Sequence, residues 1–290
     1  MLGRTLTLLP LLLLAVACEA PPPEAASDGD PLPIAVTVAP HGWLVEAIGG
    51  DRVEVSVAVT PGQSPETFQP SDVEASRLLS SRIYFSTGVP AERGPWFQAV
   101  ERRVQVVELA GQQGHDEHDH DRGGDHDEQD PHSWLDPSVL RGQAQKVAAA
   151  LTAEDPVGAS HYAARLLELE AELEQLDESL RSQLASHADR AFLIYHPAWG
   201  HFAARYGLRQ LAIEKHGKTP SEVELTALRR QAQEERCRVV FVQPQISDRV
   251  AGLVAESLAA RVETLDPLAA DVPANLRAAA DKLVEAFTAP

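Results

Sequence analysis

The sequence predicts an α/β protein of two lobes, each on a mainly parallel sheet, joined by one long rigid helix. Three observations predict it. Short β-branched runs alternate with helical stretches between residues 34 and 109, and the same rhythm returns beyond residue 187. Alternation of this kind marks βα units on a parallel sheet. Between the two series, Tyr162, Leu166, Leu169, Leu173, Leu176, Leu180 and Leu184 recur at spacings of three and four, the stripe of an amphipathic helix.

In chain order, IAVTVA (34–39) reads as a strand, GWLVEAIGG as a helix and VEVSVAV (53–59) as a second strand. A helix from Ser71 to Leu79 follows, then extended runs RIYFST (82–87) and VQVVEL (104–109). The stripe extends the central helix from Gly158 to Ser186, about 43 Å at 1.5 Å per residue. A coiled-coil dimer would carry the same stripe, but one stripe between two α/β halves suits a strut inside a monomer. Past it come AFLIYH (191–196), a helix through Tyr206, LRQLAI (208–213) and a helix from Pro220 to Glu235. RVVFVQ (238–243), a helix around 247–259 and VETLD (262–266) complete the series. The expected divisions are a first lobe over 34–153, a connecting helix over 154–186 and a second lobe over 187–290.

Of the 290 residues, 25 are Lys or Arg and 43 Asp or Glu, a net charge of −18 that argues against nucleic acid as partner. The 44% hydrophobic content excludes both a disordered chain and a multi-span membrane protein. Residues 1–17 read as a secretory signal: Arg4, an apolar run from Leu6 to Leu14, and a small-residue exit. Cys18 directly after it resembles the lipid-bearing cysteine of bacterial lipoproteins. Residues 18–33 are Pro-rich and acidic, as a flexible tether should be. Acyl chains on Cys18 would hold a soluble body on a membrane, outside the cytoplasm. Cys237, before a strand run with no second cysteine to pair with, reads as a small buried hydrophobe.

The chemistry gathers on histidine. Residues 111–130 place His115, His118, His120 and His126 among eight acidic side chains, with nothing apolar to bury. Such a surface loop binds zinc-like ions adaptably. DPHSWLDP (130–137) follows and carries His132. His196 and Asp266 stand at the carboxyl ends of predicted strands, where open α/β sheets collect their ligands. Two imidazoles and a carboxylate form a usual zinc set that needs one more ligand.

These segments carry a specific resemblance. VTVAPHGWLVEAIGGDRVEV (36–55), TPGQSPETFQPS (60–71), the acidic-His insert, DPHSWLDP, YHPAWGHFAARYGL (195–208) and LDPL (265–268) are similar to the zinc- and manganese-binding solute receptors of bacterial ABC importers. This ZnuA-like family has two α/β lobes joined by a rigid helix, with the metal in the cleft. The resemblance implies His132, His196 and Asp266 as ligands, an ABC permease with its ATPase as partners, and no enzymatic activity. The fourth position departs: after the second Pro of PGQSPETFQP the family usually has His, and this chain has Glu66. Glu66, His41 or water would complete the shell. His196, where manganese receptors carry a carboxylate, and the His-rich insert favour zinc over manganese. Glu214 is expected to hydrogen-bond a ligand histidine. His201 should lie off the ligand face, and His161, His187 and His216 read as surface residues. A zinc hydrolase would need a general base, yet HExxH is absent. A passive metal buffer would rely on the insert alone.

Overall fold

The computed structural model describes residues 30–110, 130–214 and 221–288. The secretory signal, Cys18, most of the tether, the four insert histidines and His216 lie outside the described residues. Among the described residues, no helix is long and apolar enough to cross a membrane.

The first lobe holds β1 (Leu32–Val36), α1 (Ala39–Gly49), β2 (Val53–Val57), α2 (Asp72–Leu79), β3 (Ile83–Ser86), α3 (Pro95–Glu101) and β4 (Gln105–Glu108). Its four strands are all parallel, in the order β2-β1-β3-β4, with Ile34 paired to both Val55 and Ile83. Next come α4 (Pro137–Glu154) and the long α5 (Ala159–Leu184). The second lobe holds β5 (Ala191–Ile194), α6 (Gly200–Arg205), β6 (Arg209–Ala212), α7 (Glu222–Glu234), β7 (Val239–Val242), α8 (Asp248–Leu258), β8 (Arg261–Thr264) and α9 (Val272–Thr288). Its parallel sheet repeats the same pattern, β6-β5-β7-β8. Inner strands β3, β5 and β7 are buried at every residue, whereas the edge strands β4, β6 and β8 are not. That contrast explains the continuous apolar runs of the former, since helices cover both faces of a parallel sheet.

Every predicted strand exists, but each is shorter than its apolar run. The last residues of those runs have left the sheet and line its carboxyl end. The central helix is 26 residues long, about 39 Å. Six stripe residues are buried and Leu166 is half-buried. α5 packs on α4, α1 and α9, so one apolar core runs without a break from Ile34 and Phe85 through Leu169 and Leu176 to Phe192 and Phe241. Smaller clusters close the far faces of the sheets, around Tyr84 and Phe97 in one lobe and Leu193 and Val240 in the other.

Polar contacts fasten α5 to both sides. Arg205 of α6 donates to both oxygens of Asp177 at 3.0 and 2.6 Å, and Tyr206 donates to the same carboxylate at 3.1 Å. Asp136, which caps α4 by accepting from the Ser138 amide at 2.8 Å, lies 3.7 Å from Arg205. His161 differs from its expected surface role. Its Nε2 donates to the Gly49 carbonyl at 3.0 Å and pins α5 to the end of α1. His187 lies against the Phe287 ring at 5.4 Å. Cys237 is half-buried with its thiol on the Ala191 carbonyl at 3.3 Å, and burial pushes that thiol up to about 11.

Candidate metal centre

Three strands of the second lobe each deliver a candidate two residues beyond their last paired residue. His196 follows β5, Glu214 follows β6 and Asp266 follows β8. Because β5 and β6 are neighbours, His196 and Glu214 emerge side by side. β8 lies two strands from β5, roughly 10 Å at 4.8 Å per strand. Asp266 is not in the group that His196 and Glu214 form with Glu66, and one of its carboxylate oxygens accepts from the Leu268 amide at 2.9 Å.

The first lobe supplies the opposing wall. Glu66 sits in the loop between β2 and α2, whose turn is closed by Thr67 N to Ser64 O at 3.2 Å and fixed by Ala91 N to Pro65 O at 3.1 Å. Phe68, buried and edge-on to Trp96 at 5.7 Å, anchors the loop from below. His132 precedes a tight 3-10 turn, Ser133–Leu135. Asp130 accepts from the His132 backbone amide at 3.0 Å and faces its Nδ1 at 2.7 Å. Across the lobes, His201 of α6 donates to the Asp130 carbonyl at 3.0 Å, so that histidine braces the His132 segment.

These walls meet at His196. Its Nε2 faces Glu66 Oε1 at 3.1 Å, and its Nδ1 faces Glu214 Oε2 at 3.7 Å. Among the described residues, Glu66, His196 and Glu214 form the one group of three whose ligand atoms all lie within 4.8 Å of one another. The His132 ring stands edge-on to the His196 ring, centroids 5.2 Å apart. Trp134 locks the two lobes beside them by donating its Nε1 to the Pro267 carbonyl at 2.6 Å, next to Asp266. Burial alone would lower His196. The Glu214 contact and the negative charges of Glu66, Glu214 and Asp130 outweigh it and hold the ring above its ordinary value. The same field favours any cation that replaces that proton.

The spacing suits a small tetrahedral ion. Bonds of 2.0–2.1 Å at tetrahedral angles put two ligand atoms about 3.3 Å apart, close to the 3.1 Å between His196 Nε2 and Glu66 Oε1. Both histidines turn Nδ1 toward a carboxylate, Asp130 or Glu214, which makes Nε2 the nitrogen that a metal could take. A carboxylate behind the ring fixes the tautomer and raises the basicity of the metal-facing nitrogen. His41 is placed differently. It is wholly buried in α1, with Nδ1 on the Thr87 hydroxyl at 3.1 Å and Nε2 on the Gln143 amide oxygen at 3.2 Å.

Comparison with known proteins shows the family. Residues 34–286 match the ZnuA family model, described as the periplasmic component A of a zinc-uptake complex. The chain belongs to the ZnuA family. A crystal structure of ZnuA superposes with a TM-score of 0.81 at 34% identity, covering 89% of this chain and all of that one. A ZnuA deletion mutant solved with zinc bound gives 0.81 at 34% identity over 90% of this chain and all of that one. The high-affinity zinc uptake protein ZnuA of Bacillus subtilis (strain 168) is 25% identical over 272 residues, 88% of this chain and 85% of its own length.

In this ZnuA-family chain, sequence reasoning missed three residues beside the site: Asp130, Trp134 and Gln143. Asp130 was legible as a carboxylate two positions before His132. Trp134 bonds Pro267, 133 residues away, and Gln143 bonds His41, 102 residues away, so no local pattern announces these contacts.

Proposed function

We propose that this chain is an extracytoplasmic receptor that captures zinc between its lobes and hands it to an ABC permease and its ATPase. The observation that carries the reading is the placement of His196 between Glu66 at Nε2 and Glu214 at Nδ1, edge-on to His132. His132, His196, Glu66 and Asp266 are the ligands, with Asp130 and Glu214 orienting the two imidazoles. Two nitrogen donors favour zinc over manganese, which prefers carboxylate and water. Zinc displaces protons from the imidazoles as it binds, so affinity falls in acid. The insert histidines His115, His118, His120 and His126 concentrate the ion near the site, and acyl chains on Cys18 keep the monomer at the membrane.

The test is a competition titration of the metal-stripped chain against a zinc chelator, with zinc-edge X-ray absorption on the loaded protein. One tight site with two imidazole and two oxygen ligands is expected. A first shell without imidazole, or no competition with the chelator, overturns the reading.

A further inference from the structure

The first lobe holds a run of buried polar groups that the ligand set does not use. His41 is at its centre and has no exposed surface. The Gln143 amide nitrogen donates to the Leu109 carbonyl at 3.3 Å and the Ser133 hydroxyl at 3.0 Å. Its oxygen is therefore the atom facing His41, so His41 Nε2 must carry the proton and donate. In a neutral ring Nδ1 then accepts, and the Thr87 hydroxyl donates to it. Burial lowers this imidazole to about 4, in keeping with a ring that stays neutral.

Each end of the run reaches the residue next to a proposed ligand. On one side Gln143 holds Ser133, which follows His132. On the other, the Thr87 and Gly88 amides donate to the buried Glu92 carboxylate at 2.9 and 2.7 Å, and Thr37 donates to it as well. That carboxylate closes the turn whose Ala91 amide holds the Pro65 carbonyl at 3.1 Å, directly before Glu66. The Trp134 ring packs edge-on to both His41 and His132, at 5.6 and 5.2 Å. An aliphatic residue would fill the volume of His41 but would leave Thr87 and Gln143 without their shared partner.

We infer that His41 is a positioning residue, a buried imidazole that ties the Glu66 loop to the His132 segment and so sets the spacing of two ligands in the first lobe. This rests on the zinc-receptor reading. The histidine acts through Thr87 and Gln143 without touching the ion.

The test uses the full chain, Zn²⁺ by chelator competition and the visible absorption of bound Co²⁺. His41→Leu is expected to weaken zinc about tenfold and to change the cobalt spectrum, recorded well below the unfolding temperature. His41→Asn keeps an acceptor for Thr87, and His41→Gln keeps a donor for Gln143. Each should recover part of the loss, which a role in core stability alone would not produce. Should His41→Leu fail to fold, Thr87→Val and Ser133→Ala cut the run on either side of an intact His41, with a loss of about threefold or more expected from each. Wild-type affinity and an unchanged cobalt spectrum in His41→Leu, or in both cut variants, overturn the positioning role. Loss of one imidazole from the zinc shell of His41→Leu also overturns it, by making His41 a ligand. Absence of tight zinc binding in the wild-type chain instead overturns the receptor reading itself.

Discussion

His196 turns its Nε2 to Glu66 Oε1 at 3.1 Å, a contact made between a side chain of each lobe. That separation is close to the spacing of two ligands on one small ion, so a cation bound between them would leave both partners nearly in place.

The proposed ligand role of Glu66 predicts a large effect of its removal. Glu66→Ala should weaken zinc at least a hundredfold, roughly 2.8 kcal/mol at 1.4 kcal/mol per tenfold. Chelator competition measures it. A loss below threefold would give the fourth position to water.

Glu214 faces the other nitrogen of the same ring, 3.7 Å from Nδ1. Glu214→Gln keeps the shape and removes the charge, so the loss should be about 10–100-fold, the range for groups that orient a metal-bound histidine. Calorimetric titration at constant pH reads it. If zinc-edge absorption then shows one oxygen fewer in the shell, Glu214 is a ligand and not an orienting group.

Trp134 spans the lobes through its bond to the Pro267 carbonyl. Trp134→Phe keeps a ring against His132 and leaves that carbonyl without its donor, which should cost about 1–3 kcal/mol. Urea unfolding measures the change. An unchanged midpoint would mean that the interlobe bond adds nothing to stability.

Asp177 predicts a pH dependence. Burial would raise its carboxyl, but hydrogen bonds from Arg205 and Arg181, the charge of Arg205 and the Tyr206 hydroxyl hold it below the ordinary value. A depressed carboxylate stabilises the fold in full above its unfolded value, near 3.9, and loses that contribution as pH falls through its lower folded value. Asp177→Asn should therefore cost about 1–2 kcal/mol at pH 7, allowing for solvent screening of the partly exposed ion pairs. The gap to wild type should close below about pH 4. Urea unfolding at a series of pH values follows it, and a gap that widens in acid would refute the assignment.

The strands and α5 were legible because their patterns are local: β-branched runs, and a leucine stripe at helical spacing. α4 was not legible, although it is 18 residues long. Its buried face mixes Leu140, Val147 and Leu151 with Gln143, Ala144 and Ala148, so the apolar contrast is weak. Its start was nonetheless written plainly, with Asp136 as cap and Pro137 in the first turn. α9 hides its stripe among alanines in the same way, burying Ala279 and Ala280 beside Leu276 and Leu283. At the site, His196, Glu214 and Asp266 could be read as strand-end residues. Which of Glu66 and His41 the fold buries is a property of packing that no spacing encodes.

The unbroken core through α5 has a consequence for signalling. Receptors that close like a clamshell report their cargo by a change of silhouette, and such a change here would shear side chains packed from Ile34 to Phe241. A transporter therefore gains little by sensing outline. On the proposed ligand set, what separates full from empty is local: the charge neutralised at Glu66 and at the side chains that face it.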